Sequence, residues 1–147
     1  MNQTEQNIAV LRRLREMLVR QRERFQAYLG LLEAEESSIR NDDAEKLLAQ
    51  MEIERTIIAE IFTLKKVILP LESLYQAAYP GTESTVPRLK AALETMGEQI
   101  FAHNARNRQL LKDRMENLRQ EITELRGWPR DSSPFAEVVP GLVDITT

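Results

Sequence analysis

The sequence predicts an all-α fold: an elongated antiparallel three-helix bundle, coiled-coil in character, with a proline-containing C-terminal tail. Two observations carry this. Apolar residues recur at alternating intervals of three and four along three stretches, and the pattern stops at Gly127, where a proline-spaced apolar segment begins. An average spacing near 3.5 residues keeps such side chains on one helix face, whereas a strand would need a period of two, which is sustained nowhere.

The first stripe runs Leu11, Leu14, Leu18, Phe25, Tyr28, Leu32, Ile39, and polar Gln21 and Glu35 occupy the two seam positions between them. It predicts a helix over about 4–40, with Thr4 as the capping hydroxyl. At about 1.5 Å per residue such a helix is roughly 50 Å long. Asn41-Asp42-Asp43-Ala44-Glu45 then reads as a tight break and restart, with Asp42 accepting from the Glu45 amide. So short a connection makes the first two helices antiparallel neighbours.

The second stripe, Ile57, Ile61, Leu64, Ile68, Leu71, Tyr75, joined upstream by Leu47 and Met51, predicts a helix over 43–79 kinked at Pro70. Pro80-Gly81 ends it. Ser84 or Thr85 is the expected cap of a third helix over 85–127, with Pro87 tolerated in the first turn and Gly127 suited to termination. Its stripe begins Val86, Leu89, Leu93, Met96, Ile100 and resumes as Leu111, Met115, Leu118, Ile122, Leu125. A 4-4 spacing near Ile100 unwinds a supercoil locally, so the later half of this helix is expected either to face a different partner from the earlier half or to lack one within the monomer. The bundle is thus assigned to 1–127 and the tail to 128–147. In the tail Pro129, Pro134 and Pro140 forbid a long helix, while Trp128, Phe135, Val138, Val139, Leu142 and Val143 make it too apolar for an inert linker.

Composition narrows the function. Charged residues make up 29% of the chain with both signs interleaved, and aromatics only 5%, as expected for long helices with solvated faces. A net charge of −3 gives no reason to expect nucleic acid. There is no cysteine, so disulfides and thiolate metal sites are excluded and a reducing compartment is permitted. The start lacks the order of a secretory signal and no apolar run is long enough for an integral membrane segment, which makes cytoplasmic localisation the expectation.

Three local patterns resemble the FlgN-type flagellar export chaperones. They are Leu11, Leu14, Leu18, Glu23, Tyr28, Leu31 and Leu32 in the first helix; Ile39-Arg40-Asn41-Asp42-Asp43-Ala44-Glu45-Lys46-Leu47 at the turn; and Asn104-Ala105-Arg106-Asn107-Arg108-Gln109-Leu110-Leu111 in the third helix. The resemblance spans about residues 8–125. It implies a cytoplasmic helical protein that escorts hook-associated proteins to the flagellar type III secretion apparatus and prevents their premature assembly. It also implies contact with export-gate components, attributed in related chaperones to a late tyrosine; here the last tyrosine is Tyr79. Asn41 stands where the family has glycine, which asparagine can mimic in a left-handed turn, and prolines interrupt a tail that the family draws as helical.

No residue pattern points to catalysis, a cofactor or a metal. His103 is the single histidine and lacks the Glu-x-x-His spacing of di-iron bundles. Glu33, Glu35, Glu36, Asp42 and Asp43 read as solvated or capping groups flanking a turn. The arginines Arg12, Arg13, Arg15, Arg20, Arg22 and Arg24 read as a solvated face paired with Glu52, Glu54 and Glu60 of the second helix. Asn104 and Asn107 read either as buried register-fixing groups or as residues of a wet face. The expected partner site is a groove that receives an amphipathic helix, lined by Leu111, Met115, Leu118, Ile122 and Leu125, and closed by Trp128, Phe135, Val138, Val139 and Leu142. The rival expectation is a structural coiled-coil homodimer through the late third helix, without an export client.

Overall fold

The computed structural model describes residues 2–126, so every expectation placed on the tail lies outside the described residues. Three helices account for nearly all of them: α1 (Gln3–Arg40), α2 (Ala44–Ala78) and α3 (Thr85–Arg126). No strand occurs among the described residues. None of the described helices is long and apolar enough to cross a membrane.

The helix starts correct the predicted caps. Asn2 rather than Thr4 caps α1, its side chain accepting from the Glu5 amide at 2.8 Å. At the first turn the donors of Asp42 and Asp43 close on the carbonyls of Ile39 and Ser38, at 3.1 and 2.9 Å. This is the paired closure of a Schellman turn, which requires a left-handed residue just beyond the cap. Asp42 takes that conformation, with φ at 54°, while Asn41 stays at −92°. Asp43, one residue later than expected, caps α2 by accepting from the Lys46 amide at 3.0 Å. Pro70 lies inside an unbroken α2.

The start of α3 is organised by Glu83, not by Ser84 or Thr85. Its half-buried carboxylate accepts from the amides of Thr85 and Val86, both at 2.8 Å, and from the Tyr75 hydroxyl at 3.0 Å. The Thr85 hydroxyl and, at 3.1 Å, the Arg15 guanidinium complete the set. Burial alone would raise the pKa of this group. The hydrogen bonds from Thr85, Val86 and Arg15 outweigh that and hold the carboxyl well below its usual range.

Packing places α1 between the other two helices: both α2 and α3 lie along it, whereas α2 and α3 scarcely approach each other. Gln21, Arg24 and Ser38 of α1 bond to Ile61, Glu60 and Gln50 of α2, so numbers rise on one helix as they fall on the other. Arg15, Leu32 and Asp42 meet Thr85, Asn107 and Arg114, so here both rise together. The apolar core divides into three successive clusters. Leu14, Leu18, Ile68 and Val86 form one, Tyr28, Leu32, Ile61 and Ile100 the next, and Ile39, Leu47, Met51, Leu111 and Met115 the last. Burying each such side chain contributes roughly 1.5–3 kcal/mol before chain entropy is set against it.

Candidate partner-binding site

The five α3 residues expected to line one groove are divided by the structure. Leu111 is fully buried and Met115 nearly so, both packed against Ile39, Leu47 and Met51 of the hairpin. These two are therefore corrected from partner contacts to core residues: α3 continues alongside the α1–α2 turn and the hairpin covers them first. The expected change of partner halfway along α3 also gives way to continuity. His103, Asn104 and Asn107 are buried and carry the seam from Ile100 to Leu111 with polar side chains.

The hairpin ends level with Arg114. Its guanidinium holds the Asp42 carboxylate through two bonds, one at 3.0 Å from Nε, and reaches the Arg40 carbonyl at 3.4 Å. Beyond this clasp Leu118 still packs on the last cluster, half-buried. Ile122 is half-buried, and Leu125, the next member of the same stripe, is 82% exposed. The stripe therefore runs off the end of the hairpin while its spacing stays intact. Trp128, Phe135, Val138, Val139 and Leu142 fall outside the described residues.

A polar layer separates the middle core cluster from the last one. Asn107 donates to the Leu32 carbonyl at 2.8 Å, Ser38 to Gln50 at 2.8 Å, and His103 Nε2 lies 3.0 Å from Glu36. Arg40, ahead of His103, hydrogen-bonds Glu36 and lowers its pKa. Within the same region Glu35 and Glu54 are both 0% exposed. That corrects two sequence expectations, since Glu35 is neither solvated nor capping and Glu54 belongs to the buried interface and not to a solvated face. Of the expected ion pairs, Glu60 meets Arg24 at 3.5 Å, while Glu52 pairs with Arg55 on its own helix at 3.4 Å. Among the described residues no group of three or more histidine or acidic side chains could hold a metal ion.

Sequence reasoning found the stripe and missed how far the hairpin covers it. Length was the available signal: α3 has 42 residues against 38 and 35 for its neighbours and starts level with Arg15, so it outlasts them. No protein-family model matches the chain. No solved structure matches it either. It is 33% identical over 119 residues to an uncharacterized protein of Treponema pallidum (strain Nichols), an alignment that covers 81% of this chain and 77% of that protein. With identity sustained over that much of both sequences, the chain belongs to the same family as this Treponema pallidum protein.

Proposed function

We propose that this protein is a cytoplasmic chaperone of the flagellar type III export type, which binds hook-associated proteins and prevents their premature assembly. One observation carries the reading: the apolar stripe of α3 continues past the Asp42–Arg114 clasp through half-buried Leu118 and Ile122 to an 82% exposed Leu125. A strip at helical spacing that emerges from partial cover to an exposed end suits an amphipathic helix of another protein. The helix pairings fit an antiparallel α1–α2 hairpin with α3 returning beside α1, which presents the strip at one end of the bundle. The local patterns shared with FlgN-type chaperones supply the client class, and the absence of cysteine suits a reducing compartment.

The tail from Trp128 onward begins where the strip ends and supplies apolar anchors to close over the client. Co-purification with a hook-associated protein, using the full chain and a form truncated after Gly127, tests this. Retention by the full chain and loss on truncation are expected. No retention by either form would remove the client assignment.

The same strip also suits a homodimer through late α3, because its spacing is that of a coiled-coil seam. Molar mass in solution separates the readings. The chaperone is a monomer that forms a one-to-one complex with its client, whereas the scaffold is a dimer that the client leaves unchanged.

A further inference from the structure

The two flanks of the α3 strip differ in charge. Arg119 follows Leu118 and Glu121 precedes Ile122, so at about 3.6 residues per turn the two charges stand on opposite sides of the apolar line. Glu121 shares its side with Asp42, Arg114 and Glu124, which surround one polar hollow at the end of the hairpin. Acid and base already meet there. Arg119, on the other side, has no such company. It is half-buried, its Nε is enclosed without a hydrogen-bond partner, and among the described residues no carboxylate pairs with it, Glu116 three residues back included. Its terminal nitrogens are not enclosed and face water. A guanidinium held by burial at Nε and open at its tip presents a ready fork to a carboxylate.

A second copy of this chain does not supply that carboxylate. Antiparallel pairing of two strips sets each flank against its own kind, base on base and acid on acid. Parallel pairing sets one flank against the other and brings Arg119 to Arg114, which already holds Asp42. Like charges brought together across a seam oppose association, so both self-pairings leave Arg119 unanswered.

We propose that the strip selects an amphipathic helix with one acidic flank, whose carboxylate meets the terminal nitrogens of Arg119 while its apolar line covers Leu118, Ile122 and Leu125. The run of α3 beyond Arg114 is about 18 Å long, which accommodates a partner helix of about three turns. This rests on the strip being the docking surface of the chaperone reading, and adds the charge that a client helix must carry.

Two synthetic helical peptides with one apolar seam, carrying either glutamates or glutamines along one flank, are titrated by calorimetry into the full chain at low salt. The glutamate peptide is expected to bind about fivefold more tightly. The chain's net charge is −3, so a general attraction does not favour that peptide. Arg119→Gln removes the preference, Arg119→Glu reverses it, and Leu125→Glu weakens both peptides, with helicity monitored in each variant. Failure of either peptide to bind, equal affinities, or a preference that survives Arg119→Gln overturns the proposal. So does a wild-type dimer that Leu125→Glu dissociates, which would give the strip to a second copy. A hook-associated protein retained equally by the wild type and Arg119→Glu would keep the chaperone reading and remove the acidic flank.

Discussion

Glu35 of α1 and Glu54 of α2 place two carboxyl groups against each other in the fully buried interface of the hairpin. Among the described residues no N–H or hydroxyl donor reaches either oxygen of Glu35, so hydrogen bonding between the two acids requires a proton on one of them. Burial, the neighbouring Glu54 charge and that hydrogen bond together raise the Glu35 pKa to about 9. The pair enters the folded state holding a proton that the unfolded chain releases near the ordinary carboxylate value.

Stability should therefore fall as pH rises from the unfolded value near 4.5 to about 9. One retained proton corresponds to a slope of about 1.4 kcal/mol per pH unit within that window. Urea unfolding across it should show the decline, and Glu35→Gln, which carries a donor without needing a proton, should flatten it. A wild-type stability independent of pH between 5 and 9 would contradict the shared proton.

Glu83 gives the opposite sign. Its carboxyl is held below the usual range by its donors, so its contribution is complete above the unfolded value and is lost as pH falls below it. Glu83→Ala should cost about 1–2 kcal/mol at pH 7, the magnitude of a lost helix cap, with a smaller difference at pH 3. Thermal melts at the two pH values check this, and an equal difference at both would show that the anion is not what matters.

Two glycines sit inside helices without steric need. A Cβ at Gly30 meets nothing within 4 Å, and one at Gly97 makes an ordinary contact with Phe25 at 3.8 Å. Gly30→Ala and Gly97→Ala should each raise stability by about 0.5–1 kcal/mol. Destabilisation at Gly97 in urea titrations would mean that its surroundings are tighter than the 3.8 Å contact implies.

The three helices and the faces they bury were legible because spacing alone places Leu14, Leu18, Leu32 and Ile61 inside. Register also places Gln21 and Glu35 on the seam, and both are buried, although Glu35 taken with its acidic neighbours reads as solvated or capping. Glu54 did not follow. Glutamate reads as solvated by default, and a proton shared with the opposing Glu35 lowers the cost of its burial. Caps shifted by one or two residues, from Thr4 to Asn2 and from Asp42 to Asp43, because neighbouring residues offer equivalent side chains. Glu83 escaped because its role depends on Arg15 and Tyr75, which are distant in sequence. The site was half legible: Leu111 and Leu125 are indistinguishable as stripe members, and only the endpoint of the hairpin tells them apart.

That endpoint separates core from surface energetically. Leu111→Ala should cost about 2–5 kcal/mol, as a large-to-small change in a packed core does, whereas Leu125→Ala should fall within about 0.5 kcal/mol of wild type. Similar losses at both positions in chemical unfolding would place Leu125 inside the fold.

The central claim is that the exposed end of the α3 stripe is a surface for another protein's helix. Equilibrium binding of a purified hook-associated protein to the wild type and to an Ile122→Glu/Leu125→Glu variant, with helicity and melting monitored in parallel, tests it most directly. We expect an unchanged fold with binding weakened at least about tenfold, equivalent to about 1.4 kcal/mol. Unchanged affinity in a variant that folds normally would contradict the account.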